Sequence, residues 1–415
     1  MMRRILIALC ISQAVLYAQT QPPQVTTPIT LQEALATARK NNPAMLGLDQ
    51  HLNAVRAQEV TAGLRQNPNL YSQGTQTNLA NNDPNGPPLT SVGVNRLFEL
   101  GGKRDARLSV ARSTTALTAS QIADQRRQLD LAVRTAFTRV LVAKSSLAIA
   151  NDNLMGYRHT VDLMKVRLDA GDVSRTDFDR IDLQLAGFES DFTNAKLNLE
   201  QSAEQLQTLL GIAQPTPNFD VVGTLDVPRL AITENDLEQQ ALANRPDLKA
   251  AEDQIRVNDA GIHLAESGRT WDPTIGGEYE RSGYANTVGF QLNLPLRIFD
   301  RNQGERQRTR YETESSRFAL TAARNQVVSD VRQSYAAYLA ATELAERYRA
   351  HYLDEAAHVR DNLEFSYRNG DGTLLDYLSA LQDYRQVNLA SINANAQVLF
   401  ALHQLSFATA TEVLP

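Results

Sequence analysis

A stretch of strict alternation that stops at a proline and passes, within a few residues, into a long uninterrupted helical pattern constrains this chain more than any other feature. Val288, Phe290, Leu292 and Leu294 fall on one side, and Gly289, Gln291 and Asn293 on the other. That is the period of a strand with one apolar and one polar face. Pro295 ends it, because a proline cannot donate to a sheet ladder. Asp300, with Gln303 three residues on, reads as an N-cap and capping box that opens a helix. The junction, which ends at Gly304, has an earlier counterpart. Ser91 to Asn95 is strand-like, and Leu97-Phe98-Glu99-Leu100-Gly101-Gly102-Lys103-Arg104 leads into another long helical stretch. Two copies of so unusual a junction point to an internal duplication.

The rest of the chain repeats in the same order. Leu31 to Leu35 opens a short helix, Asn42-Pro43 breaks it, and a second helix runs to about Asn67-Pro68. Leu70 to Leu79 and Leu89 to Leu97 read as strands around the turn-rich Asn81 to Pro88. From Gly102 to Asp169 there is no proline and only Gly156 interrupts. At ~1.5 Å per residue such a helix is roughly 100 Å long. Gly171 ends it, and another helix follows to about Leu210. In the second half Leu237 to Leu242, Arg245-Pro246, Asp272-Pro273, Thr274 to Ser282 and Thr287 to Leu294 answer these segments in turn. A helix from Asp300 to Arg368 then turns at Asn369 to Gly372 into a last helix ending near Phe407. The expected division is an export signal over 1–18, a first repeat over 19–212, a linker over 213–233, a second repeat over 234–409 and a tail over 410–415.

The signal reading rests on Arg3 and Arg4, the apolar Ile5 to Leu9, and Ala18 before Gln19. Cys10 is the one cysteine. The residue before it is leucine where a lipid-attachment box needs a small one, so a cleaved signal is the better reading than lipidation. A mature chain without cysteine excludes disulfides and thiol catalysis. A net charge of −6 gives no sign of a nucleic-acid partner. No apolar run after the signal is long enough for a spanning helix, so membrane contact falls to strands or a surface helix.

Val133, Val140, Leu147, Leu154, Val161 and Leu168 recur every seven residues, and Ala136, Ala143, Ala150, Tyr157 and Met164 recur three positions on. A sustained heptad means neighbouring helices that supercoil with knobs in holes. Val288 to Leu294 pairs with Ile275, Gly277 and Tyr279 through a turn at Gly283, leaving Tyr279, Tyr284 and Phe290 for interfacial girdles. Short alternating segments are the signature of a transmembrane barrel, and a small soluble sheet on a helical bundle fits the pattern equally. Known membrane barrels need about eight strands or more, so a membrane reading requires several copies of the chain.

With these residues in view, the chain resembles the TolC-type outer-membrane efflux proteins. Leu294-Pro295-Leu296, Phe299 to Gly304 and Phe98 to Arg104 resemble the heavy-metal (cation) efflux branch. The resemblance implies a mainly α fold with membrane β, in which a homotrimer builds one twelve-stranded barrel in outer-membrane lipid, continued by a coiled-coil periplasmic tunnel. It implies an exit duct for substrates, metal cations among them, that meets a periplasmic adaptor (membrane fusion) protein and an inner-membrane resistance-nodulation-division pump. A soluble periplasmic coiled-coil structural or adaptor protein is the alternative. An adaptor would need a lipoyl-like or barrel module beside a single hairpin, whereas this chain has two equivalent halves.

Gly171 and Gly370 are each followed six residues later by an aspartate, Asp177 and Asp376. By themselves these are solvated carboxylates that favour the N-terminal dipole of a helix. By resemblance they belong to a periplasmic gate, with Asp376 in a ring that narrows the tunnel and Tyr367 latching to Asp177. The family's second ring aspartate falls on Ser379 and its latching arginine on Gly372. The turns Gly171, Asp172, Val173, Ser174 and Gly370, Asp371, Gly372, Thr373 would be the adaptor-docking tips, and they also fit ordinary turn chemistry. His351, Glu355 and His358 share a helix face at spacings that could reach one metal ion, although a solvated polar face is the commoner explanation. No Ser-His-Asp set, phosphate loop or carboxylate pair stands out, so neither an enzyme nor a cofactor is expected.

Overall fold

A computed structural model describes residues 28–75, 89–217, 219–226, 229 and 233–413. The export signal, Cys10, the Asn81–Pro88 turn and the last two tail residues lie outside the described residues. The first half runs α1 (Leu31–Asn41), α2 (Pro43–Gly63), β1 (Asn69–Thr75), β2 (Leu89–Leu97), α3 (Lys103–Ala170) and α4 (Arg175–Leu209). The second runs α5 (Glu234–Asn244), α6 (Pro246–Ser267), β3 (Thr274–Ser282), β4 (Ala285–Asn293) and α7 (Gln303–Arg347). A π turn (Tyr348–Tyr352), α8 (Leu353–Asn369) and α9 (Leu374–Thr409) complete it.

The helix breaks solve one problem in two ways. Asn42, before Pro43, accepts from the amides of Ala44 and Met45, and its own amide donates to Leu209 O at 2.9 Å. Its counterpart Arg245, before Pro246, is buried and reaches Asp247, Asp330 and the Ala408 carbonyl. Each break therefore ties a short helix pair to the last helix of its own half. The heptad residues Val133, Val140, Leu154, Ala136, Ala143, Tyr157 and Met164 are all buried along α3. In the first half Val133 and Val140 pack with Leu35, Leu206, Leu210 and Val221. In the second Leu237, Val327, Val331 and Leu405 form the matching core.

One helix departs from expectation. The stretch after β4 is helical throughout, but not regularly α: a π turn lies between α7 and α8, where the linker residues Asp226 and Arg229 hold Arg349 and Glu346. Nor does Asp300 cap it. The N-cap is Asn302, at φ 60, without a side-chain cap, while Asp300 accepts from the Asn302 amide and Gln303 from the Arg301 amide. The acidic and amide side chains close a loop one step before the helix instead of capping it.

The strands make one antiparallel sheet in the order β1-β2-β3-β4, so β2 and β3 join the two halves. Tyr279 faces Val288, Gly277 faces Phe290 and Ile275 faces Leu292, the register that the alternation predicts. On the polar face Tyr71 lies over Gly93 and donates to Glu278 at 3.0 Å, and a Cβ at Gly93 would meet the Tyr71 ring at 2.5 Å. The apolar face is bare: Val288 and Phe290 are 83% and 86% exposed. Among the described residues no helix is long and apolar enough to cross a membrane.

His403 on α9 is almost fully buried, with Nε2 at 2.8 Å from the Thr138 hydroxyl and Nδ1 without a partner. Burial, helped by the Arg134 charge, lowers its pKa to about 4. The unfolded chain, with a histidine near ~6.5, binds this proton first, so the native state loses stability as pH falls from ~6.5 towards 4. The loss approaches ~3 kcal/mol. His403→Met should flatten this slope, and the difference between variant and parent melting temperatures at pH 7 and pH 5 measures it.

Candidate functional site at the helix tips

The chain reverses at two tips, α3 to α4 and α8 to α9. Gly171 and Gly370 both take φ 83, the left-handed conformation that ends a helix without a Cβ penalty. The orphan carbonyls are met by the next amides: Asp172 donates to Arg167 O and Asp371 to Ser366 O, both at 2.9 Å. The following helices start alike. Ser174 Oγ accepts from the Asp177 amide at 3.1 Å and donates to its carboxylate at 2.7 Å. Thr373 does the same for Asp376, at 3.2 and 2.7 Å. Thr233 and Asp236 repeat the module at α5, away from the tips. Helix starting is thus a job both tip aspartates perform in this chain. Asp376 is exposed and Asp177 half-buried.

The two tips are held together by an aromatic and apolar cluster. Leu154, Tyr157, Met164, Ile181, Phe188 and Leu378 are its buried centre, drawn from α3, α4 and α9, and Tyr367 of α8 packs against it. Tyr157 donates to Ile181 O at 2.9 Å and stacks on Phe188 with ring centres 4.4 Å apart. Tyr367 stacks on Tyr377 at 5.7 Å, and the Arg167 guanidinium lies over its ring at 6.0 Å. Its hydroxyl donates to Met164 Sδ at 3.5 Å, and not to Asp177, whose carboxylate is engaged by Ser174. Burial pushes the Tyr367 hydroxyl up, Arg167 opposes this, and the Asp177 charge adds to it. Val166 and Leu375 remain largely exposed beside the tips, and a cleft of about 430 Å³ opens between Leu163, Arg167, Tyr367 and Tyr377.

The sequence pointed to Tyr367 and to both aspartates, but it missed Tyr377, Arg167 and Met164 as their neighbours. Met164 sits on the alanine-rich heptad seam, and that seam was the signal available for it. His351, Glu355 and His358 do not assemble. His351 Nε2 lies 2.9 Å from Glu355, but no group of three such residues among those described is placed to hold a metal ion. His351 belongs to the π turn, whose extra residue per turn breaks the face that regular helical spacing predicts.

At the other end, where strands meet helices, Lys103 is buried and its ammonium donates to Thr270 O at 2.6 Å and Asp272 at 2.5 Å. Asp272 also accepts from the Leu100 amide at 2.9 Å. The junction of the first half is thereby tied to the segment before β3. Arg104 donates to Gly63 O at 2.6 Å, and Arg301 reaches Ile298 O at 3.3 Å.

The model of the family described as outer membrane efflux protein matches residues 34–212 and 237–411. The cobalt-zinc-cadmium resistance protein CzcC of Cupriavidus metallidurans is 25% identical over 290 residues, 68% of this chain and 66% of that protein. The nickel and cobalt resistance protein CnrC of the same organism is 25% identical over 303 residues, 70% of this chain and 67% of that one. The chain therefore spans about two thirds of the length of these relatives. Among solved structures, CusC superposes with a TM-score of 0.77 at 17% identity, over 91% of each chain. The CmeC outer membrane channel of Campylobacter jejuni gives 0.76 at 14% identity, over 92% of this chain and 86% of that one.

Proposed function

The chain belongs to the outer membrane efflux protein family, and from that premise we propose that three copies form the exit duct of a tripartite efflux system. The observation that carries this reading is the open sheet. Both outer edges, β1 and β4, lack a neighbour among the described residues, and an apolar face stands uncovered. Exposed edges and so large an apolar surface are liabilities for a soluble monomer. Joining edges between copies removes both, closing a twelve-stranded barrel whose outer face meets lipid. The long helices of residues 19–212 and 234–409, with 213–233 as linker, then line a periplasmic tunnel. A conduit of this kind conducts passively and performs no catalysis.

In this reading the tips Gly171 to Ser174 and Gly370 to Thr373 receive a periplasmic adaptor protein, which links the duct to an inner-membrane resistance-nodulation-division pump. Asp376 lines the narrowest part of the tunnel, with Asp177 and Tyr367 on the facing helices that close it. Metal cations are the substrate class, since two relatives are named for resistance to cobalt, zinc, cadmium and nickel. The test is efflux in cells that lack their own outer-membrane duct but keep a cognate pump and adaptor. Restored zinc or cobalt tolerance supports the reading, and full outer-membrane expression without restored tolerance contradicts the substrate class. A soluble coiled-coil spacer is disfavoured by the bare sheet face.

A further inference from the structure

The outward face of the sheet is bounded by arginine at both ends. Thr90, Arg281 and Asn286 form the row at one end, and Arg96, Ile275 and Leu292 the row at the helix end. Between them lie Val92, Tyr279 and Val288, then Val94, Gly277 and Phe290. From the first row to the last is six residues along β2, about 20 Å at ~3.3 Å per residue. The apolar character continues past the strands in Phe98, Leu294, Leu296, Ile298 and Phe299, and Phe299 is 90% exposed.

Beside this apolar collar the charges do not balance. Arg107, Arg308 and Arg310 are held by Glu99, Glu305 and Glu266. Among the described residues Arg65, Arg96, Arg104, Arg297 and Arg306 have no carboxylate partner. The Nε atoms of Arg96, Arg297 and Arg306 are buried with no hydrogen bond at all. Arg65, Arg96 and Arg104 line a cleft of about 330 Å³ with Leu97, Phe98 and Leu100. Glu99, Lys103 and Asp105 line it too; Glu99 and Lys103 are already paired with Arg107 and Asp272, and Asp105 alone against the three arginines leaves the lining net positive. Arg104 also sits in the first turn of α3, which starts at Gly102 without a side-chain cap. Asp105 in the same turn already complements the helix dipole, so an anion in the cleft would answer the remaining guanidinium charge.

We propose that this cleft binds the phosphate of a phospholipid in the leaflet facing the helices, with the acyl chains lying on the apolar strand face. Arg65, Arg96 and Arg104 supply guanidinium donors for the phosphodiester oxygens, the geometry that guanidinium groups favour. Phe98, stacked under Arg96 with the guanidinium carbon 5.4 Å from the ring centre, keeps that arginine at the boundary between headgroup and chain. The proposal rests on the strands crossing a membrane, as proposed above.

The experiment is native mass spectrometry of the full-length protein in detergent, titrated with phosphatidylglycerol or with a diacylglycerol of the same chains. Phosphatidylglycerol should be retained at least ten-fold better. Combined Arg65→Gln, Arg96→Gln and Arg104→Gln substitution should abolish that preference, and Arg281→Gln at the opposite end should keep it. Equal retention of the two lipids overturns the proposal without any variant. So does displacement of the lipid by millimolar inorganic phosphate, which would mark a soluble-anion site, or a closed cleft that binds neither because a neighbouring copy fills it. The same spectra report how many chains the particle holds. Three chains without the preference would sink this proposal alone, whereas a single chain that still prefers the phosphatidyl lipid would break the trimer reading and leave only the arginine cleft as a phosphate site.

Discussion

Asp376→Asn is expected to weaken block of the reconstituted channel by a multivalent cation, added on the side of the helix tips, at least ten-fold. Three carboxylates converging on one axis repel each other, and a cation between them relieves that repulsion. A tenfold change is about 1.4 kcal/mol, well within what a few charges in a narrow, partly dehydrated passage supply. Asparagine keeps an oxygen for the Thr373 hydroxyl that Asp376 accepts at 2.7 Å, so the start of α9 survives the change. Asp177→Asn is the matched comparison, because Ser174 caps α4 through the same pair of bonds. If helix starting were the whole role of these aspartates, the two variants would behave alike. Single-channel recording in planar bilayers separates the cases, and unchanged block with Asp376→Asn places the constriction elsewhere.

The largest effect on stability is expected at Lys103. Its ammonium is enclosed between Thr270 O and Asp272, and Lys103→Met leaves the Asp272 carboxylate largely buried and unpaired. Breaking one side of such a pair costs about 3 kcal/mol or more. Adding Asp272→Asn removes the stranded charge and keeps an acceptor for the Leu100 amide. The double variant should therefore recover more than half of the loss. Denaturant unfolding of the detergent-extracted protein measures both. A double variant no better than Lys103→Met would mean that the ammonium acts through Thr270 alone. The adjacent Gly101 cannot be exchanged to compensate, since at φ 73 a Cβ there would lie 2.5 Å from the Thr270 hydroxyl.

Periodic features of this chain were legible because their physics is local. Alternation set the β3–β4 register, heptads set the buried seam of α3, and Gly171 and Gly370 marked the tips. What escaped depends on residues distant in sequence. The π turn lies where Asp226 and Arg229 of the linker engage Arg349 and Glu346, and no pattern within the helix announces it. Lys103 reads as an exposed junction cation until Asp272, 169 residues away, is seen beside it. The shift of the cap from Asp300 to Asn302 has a similar origin, because the Asn302 side-chain Nδ2 donates to Ala265 O at the end of α6. Of the tip site, the two aspartates were visible as matched spacings, and Tyr367 only through the family resemblance. The stacking of Tyr377 on Tyr367 was not, since it requires α8 and α9 to be already side by side.

The central claim, that the open sheet closes with copies of itself in a membrane, has a direct measurement in the mass of the particle extracted by detergent from outer membranes. Light scattering corrected for bound detergent should give three chains per particle, with no protein recovered when detergent is omitted. A particle with the mass of one chain, or full recovery in detergent-free buffer, would contradict the account.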